Sequence, residues 1–479
     1  MRKELALLKD ALTTLHPGIY RYETREQVDS LFSACSAAAG KPMPENRYFI
    51  LLSKLLTYIH CGHTYVNPWN QPSRISSALF SKSYLPFLFR VTGGKMIVTH
   101  NLSGNGGIRP GDEIRSIGGI PTRCIVDSLL TVSRSDGRHG LARQLDNINI
   151  EPLDADTAGY ALFDIYFPLF FPRNFNCSYY RVAVRPFHRH TNRLFTVKAL
   201  SKTERAAIYS RRFGPLPVHE KNWALTFINQ QTARFAIGDF DVWEWKKDYK
   251  KYLDSVFTLL QKKHIQNLVV DIRGNEGGDD EARDEVFSYL SDRPFGCSDP
   301  MKKRRRFLTI PDSLLPYLKT WNQSFKQPKD PKDYDRTIDG LYEPKPESTG
   351  PCQPVVPKGN RFKGRKFLLT DARNSSASFT LAKLFKNGHT GEVIGEPTGG
   401  NQQGINGGQF LFFNLPYSKL EIDIPLVWGA YAGTQPDGGI QPDRVVQTTQ
   451  SDVYYHQDAQ INYILKQINK QSYHKRPIK

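Results

Sequence analysis

A chain of 479 residues is past the length at which single hydrophobic cores stop growing, which predicts roughly two to four domains. Hydrophobic residues at 39%, with 28 Phe and 23 Tyr, exclude a wholly disordered polymer. The net charge of +18 raises the question of an anionic partner, nucleic acid included.

Leu5, Leu8, Leu12 and Leu15 keep a helical period up to Pro17, with charged residues inside it. That pattern predicts an amphipathic helix and not an export signal with an apolar centre. A second helix is expected over Tyr48 to His60, with Gly62 as its left-handed cap. Residues 1–78 therefore read as a helical region that ends in the extended exit His63-Thr64-Tyr65-Val66. Strand-like runs at Pro86 to Val91 and Lys95 to His100 precede Arg109-Pro110-Gly111-Asp112-Glu113-Ile114 and Ile117-Gly118-Gly119-Ile120-Pro121. This wording resembles a PDZ-like domain, placed at 84–150. Residues 155–222 are aromatic and basic and predict a β-rich connector. The apolar run Ala161 to Phe171 is too short to span a membrane and carries Asp164 and Pro168.

From Trp223 a different rhythm begins. A strand at Ala233 to Ile237, a helix at Asp248 to Lys262 and an almost wholly apolar strand at Asn267 to Ile272 are what a parallel sheet covered on both faces requires. A second strand and helix unit, Lys366 to Thr370 and Ala377 to Lys386, ends near Gly388. Lys319 to Arg365 between them reads as a long surface excursion. The core is assigned to 223–450, and a C-terminal helix with a basic tail to 451–479. Cysteines 35, 61, 124, 177, 297 and 352 contain no CxxC pair and leave the redox compartment open.

Three loops carry groups suited to chemistry. Asp271-Ile272-Arg273-Gly274-Asn275-Glu276-Gly277-Gly278 is a glycine-rich turn of the kind that exposes backbone N–H groups, yet it lacks the spacing of a nucleotide site. Asp371-Ala372-Arg373-Asn374-Ser375-Ser376-Ala377-Ser378-Phe379 puts serines at a helix N-terminus, where they either cap the helix or attack a carbonyl whose oxyanion the first-turn N–H groups would stabilise. His60-Cys61-Gly62-His63-Thr64 has no third and fourth ligand at zinc spacing, so no metal and no cofactor is expected.

In order and wording these loops resemble the tail-specific, or C-terminal processing, serine peptidases, in particular the tricorn-like branch with a histidine base. Gly395-Glu396-Pro397-Thr398-Gly399-Gly400 and Gly439-Ile440-Gln441-Pro442-Asp443 resemble two further motifs of that family. The resemblance implies a ClpP/crotonase-like α/β core with an N-terminal helical region and an inserted PDZ-like β domain. It implies Ser376 as nucleophile, His63 as base, and N–H groups of Ala377, Gly277 and Gly278 as the oxyanion hole. A lysine-base variant of the family is disfavoured, because Asn401 and Phe379 hold the positions of its lysine and glutamate. Gly62 stands where the tricorn-like version has a serine, which leaves the group that orients His63 open, with Asp437 as candidate. Relatives are mostly exported, which favours a periplasmic or extracytoplasmic site, although no leader is present.

The expected function is hydrolysis of peptide bonds in unfolded or extended polypeptide. The alternative is a catalytically inactive peptide- or lipid-binding protein on the same fold, motivated by Gly62 and Phe379. Nucleic-acid binding through Lys302-Lys303-Arg304-Arg305-Arg306 is disfavoured, since a basic run in a loop is ordinarily solvated and no recognition motif accompanies it. Polypeptide is thus the expected partner, with no nucleic acid and no integral membrane segment.

Overall fold

The computed structural model describes residues 1–155, 160–216, 223–297 and 301–474. The chain starts as three helices, Arg2–Leu15, Arg25–Ala38 and Glu45–Thr57. The first buries Leu5, Leu8, Leu12 and Leu15, the period read from the sequence. The third stops at Thr57, so Gly62 is not its cap; His60 takes the left-handed conformation instead, with φ 56°.

An antiparallel sheet follows, in the order Phe87–Thr92, Lys95–Asn101, Glu113–Ile117, Tyr179–Arg185 and Arg193–Lys198. Its last two strands come from the segment expected to be a connector. The sheet therefore does not end at residue 150, because Glu113–Ile117 finds its second partner in Tyr179–Arg185. Between these strands lies the apolar helix Leu162–Phe170. Asp164 on this helix meets Arg205, whose side chain is fully buried, at 2.6 Å. Arg205 also donates to the Asp154 carbonyl at 2.9 Å, which ties the helix Lys202–Phe213 into the module.

The second large sheet runs Arg444–Val445, Glu392–Gly395, Arg365–Thr370, Asn267–Asp271, Thr232–Ile237 and Trp223–Phe227, parallel except for the last strand. Its middle strands are buried on both faces. Leu268, Val270 and Leu368 join the core beneath the helices Tyr249–Lys262 and Ser376–Asn387. Val269, Phe367 and Leu369 face Ile464 of the C-terminal helix Ala459–His474. Alternating residues thus serve two apolar layers, which is why these strands read as unbroken hydrophobic runs.

The long hairpin Ile405–Asn414 with Glu421–Ala430 is a third sheet, flanked by Lys302–Arg304 and Leu318–Lys319. The basic run is thus not a solvated loop. Lys302 and Arg304 pair with Glu343, Arg305 is buried and donates to Gln409, and Arg306 donates to the carbonyls of His16 and Pro17. The excursion before Arg365 holds a small hairpin, Tyr334–Arg336 with Tyr342–Pro344, and is tied back by the disulfide Cys297–Cys352. No helix among the described residues is long and apolar enough to cross a membrane.

Replacing Asp164 by Ala leaves the Arg205 guanidinium charged and buried without its carboxylate. The expected outcome is a loss of about 3–5 kcal/mol, read as a lower urea midpoint; an unchanged midpoint would show that the pair does not hold the module.

Candidate active site

The two strand-to-helix turns picked out in the sequence lie side by side, because the strands that lead into them, Asn267–Asp271 and Arg365–Thr370, are neighbours in the parallel sheet. Two fully buried asparagines lock them together. Asn374 Nδ2 donates to the carbonyls of Ile272 and Asn275, and its Oδ1 accepts from the Asp371 N–H at 2.9 Å. Asn275 Nδ2 donates to the Ile237 carbonyl at 3.0 Å, while its Oδ1 accepts from the Gly277 N–H at 2.8 Å. Asp371 completes the tie by accepting from the Gly274 N–H at 2.8 Å.

Ser376 begins the helix Ser376–Asn387 with φ 51°, a left-handed conformation that costs a residue bearing a Cβ on the order of 1–3 kcal/mol. Its neighbour Ser378 is fully buried and spends its hydroxyl on the carbonyls of Asn275 and Ser375. Gly277, with φ 119°, packs directly against Ser376. A Cβ there would stand 2.7 Å from Ser376 Cβ and 3.0 Å from the Ala377 nitrogen.

The three expected oxyanion donors separate at this point. Gly277 cannot donate to substrate, because its N–H is already bonded to Asn275 Oδ1; its contribution is the missing side chain. Phe240 N donates to Gly277 O and Phe240 O accepts from Asp279 N, so the Gly278 amide between them is turned to the opposite side. Among the described residues neither the Gly278 nor the Ala377 N–H makes a hydrogen bond.

His63 lies on the segment that leaves the N-terminal helical region and packs on the long hairpin. The segment that carries it is pinned to the hairpin by the Val66–Ile422 bridge and by the Asp423 N–H, which donates to the Tyr65 carbonyl at 3.1 Å. His16 Nε2 and Thr64 Oγ1, 2.9 Å apart, secure it from behind. The imidazole packs 5.9 Å from the Phe410 ring. Burial lowers the pKa of His63 below its ordinary value; Arg134 and Arg143 act in the same direction, while Asp136 and Glu276 oppose them. The ring is therefore neutral at pH 7. Glu276, one of the charges acting on the imidazole, belongs to the same turn as Gly277, which lies against Ser376.

Asp437 does not orient His63. Its carboxylate accepts from Asn401 Nδ2 at 2.6 Å and from the Arg138 N–H at 3.2 Å, and meets His139 at 3.1 Å. His63 Nδ1 is buried with no hydrogen-bond partner. The carboxylate next to the histidine segment is Asp136, which accepts from the Gly62 N–H at 2.9 Å. A Cβ on Gly62 would come within 2.8 Å of Asp136 Oδ2, which gives Gly62 its reason. Asp136 sits in a Ser-Asp-Gly turn whose only legible signal is the turn itself. The other departures are equally structural. Phe379 is fully buried in the core, and Asn401 ties Asp437 to the Asp136 carbonyl. The motifs at Gly395–Gly400 and Gly439–Asp443 bind one another through Thr398 and Ile440.

Beside the turn lies a cavity of about 610 Å³, walled by Tyr65, Tyr166, Arg134, Arg143, Glu276 and Arg373. Partial desolvation opposes ionisation of Glu276, whose side chain is half exposed, but Arg143 at 3.0 Å, with Arg373 and Arg134, overcomes it and holds the carboxyl below its usual range.

Residues 236–446 match the family model described as Peptidase family S41. This segment is a family S41 peptidase domain. Among solved structures, mature CPAF complexed with lactacystin aligns with 98% of this chain and 97% of its own at 14% identity, with a TM-score of 0.62. Mature CPAF aligns with 95% of this chain and 94% of its own at 14% identity and a TM-score of 0.61. These likenesses show a common fold over nearly the whole chain, including the helical region and the first sheet that lie outside the S41 segment. No curated protein sequence matches it.

Asn374→Ala removes one of two donors from each of the buried carbonyls of Ile272 and Asn275 and the acceptor of the buried Asp371 N–H. A loss of about 2–4 kcal/mol is expected, measured as a fall in the thermal midpoint; a variant as stable as the parent would show that the turns hold without the clamp.

Proposed function

We propose that the S41 domain works here as a serine peptidase in which Ser376 is the nucleophile and His63 the general base, acting on unfolded or extended polypeptide. The observation that carries this is the setting of Ser376: a strained φ of 51° at a helix N-terminus, against a glycine that leaves room for substrate, beside two N–H groups without partners. A serine hydroxyl is a poor nucleophile until a base takes its proton. Neutral His63 accepts that proton as Oγ bonds to the carbonyl carbon. The oxygen, now negative, is held by the N–H groups of Gly278 and Ala377, assisted by the helix N-terminus. Collapse expels the amine, which takes the proton back from His63. A water deprotonated by the same histidine then releases the acyl group from Ser376.

The first sheet, with its PDZ-like motif, supplies a candidate module for holding an extended chain by strand addition. Gly62 and Phe379, the departures that motivate a purely binding role, both have packing reasons, so they do not favour that role.

Ser376→Ala and His63→Ala are each expected to lower kcat/KM on unfolded casein by at least about 1,000-fold, and Ser376→Ala to abolish labelling by a fluorophosphonate. Cleavage by either variant at the parent rate would overturn the assignment. Because the pKa of His63 is lowered in the folded protein, the base is still unprotonated somewhat below pH 6.5. The acid limb of kcat/KM is therefore expected below that of free imidazole; a limb above pH 7 would contradict it.

A further inference from the structure

The part of the long hairpin nearest Ser376 is defined by two facing pairs, Gly407 with Val427 and Ile405 with Gly429. Residues two apart on a strand, and residues directly opposite, share one face of a sheet. Ile405, Gly407, Val427 and Gly429 therefore form a single patch, and all four line a cavity of about 170 Å³ whose wall includes Ser376. Two of the four have no side chain, for different reasons. At Gly429 the place of a Cβ is taken by Met301. A Cβ on Gly407 would meet nothing within 4 Å, and Gly407 does not have a left-handed φ. Its backbone does not demand glycine; the missing side chain is what keeps the pocket open.

The remaining walls are mixed: Met301 and the Tyr431 ring are apolar, while Asp280, Lys303, Thr380 and Gln409 are polar. Met301, which packs on Gly429 of the hairpin, and Tyr431, which follows the hairpin's second strand, border with Thr380 a second cavity, of about 560 Å³, that Phe287, Phe295 and Leu384 also line. The two charged residues that line the smaller pocket, Asp280 and Lys303, are of opposite sign. A cavity of about 150 Å³ has room for a benzene ring.

We infer that this pocket receives the side chain on the acyl side of the cleaved bond and selects an apolar group of leucine to phenylalanine size, with Gly407 setting the limit. The inference rests on the serine-peptidase reading. If Ser376 attacks a carbonyl, the side chain nearest that carbonyl is the one that reaches a pocket of which Ser376 is itself a wall.

The test is a peptide series that differs only at the acyl-side residue, with Gly, Ala, Leu, Phe, Asp and Lys, assayed on the full chain. One methylene in such a pocket changes kcat/KM by roughly 10–200-fold. Leu and Phe are therefore expected to exceed Gly by at least about 100-fold in the parent, and Asp and Lys to be poor. Gly407→Val and, separately, Val427→Phe narrow the pocket and are expected to lower the Phe to Ala ratio at least about tenfold, with fluorophosphonate labelling showing that Ser376 is still in place. A parent that is labelled and cleaves the series without preference, or selects only on the leaving-group side, overturns the pocket and leaves the peptidase reading standing. So do labelled variants with the parent's ratio. A parent that is neither labelled nor active on any peptide overturns the peptidase reading, and the pocket with it.

Discussion

The candidate site depends on two buried asparagines, Asn374, which bridges the two turns, and Asn275, which braces the glycine turn from within. Asn374 leaves its own turn to donate to the carbonyls of Ile272 and Asn275 in the other, while Asn275 holds the Gly277 N–H of its own turn and anchors it to the Ile237 carbonyl. Both side chains are fully buried, where an unpaired amide or carbonyl is expensive, and this fixes the turns more firmly than apolar packing alone would. The strained backbone at Ser376 persists for the same reason, because the residues on either side of it are over-determined by bonds they cannot exchange with water.

What was legible in the sequence was local. The strands Asn267–Asp271 and Arg365–Thr370 announce themselves as apolar runs because each must serve two layers, and the helices after them carry a clear period. The hairpin from Ile405 to Ala430 gave no such signal. Its first strand contains Gly407 and Gly408 at a bulge and alternates only after it, so neither a period of two nor one of 3.6 stands out. The boundary set at residue 150 fell short because Tyr179–Arg185 owes its place to a pairing with Glu113–Ile117, a long-range fact that composition does not carry. At the site, the serine, the histidine and the glycine turn were readable as motifs. Asp136 was not, since its role rests on distance to Gly62 and not on spacing, and Asp437 was misjudged because its true partners, Asn401 and Arg138, are set by the fold.

The basic surplus also changes meaning in three dimensions. Arg21 donates to the Gly404 carbonyl and to Asn406, and Arg306 to the carbonyls of His16 and Pro17. These cations have mostly main-chain oxygens as partners and fasten the helical region, Arg21 to the start of the hairpin and Arg306 from the segment after the flanking strand Lys302–Arg304, a use that needs no external polyanion. Guanidinium suits it because its planar fork can meet two acceptors at once.

That fastening has a consequence for what counts as a unit of this molecule. Leu411, Phe413, Ile422, Ile424 and Leu426 of the hairpin belong to the same apolar core as Leu5, Leu8 and Leu12 of the first helix, while the S41 segment contains only the hairpin's part of it and the stretch from Phe307 to Leu318. Cut out at its family boundaries, that segment would present this row to water as a contiguous sticky face. The stretch that matches the family and the stretch that shares this core are thus different intervals of the chain, and the second is the longer.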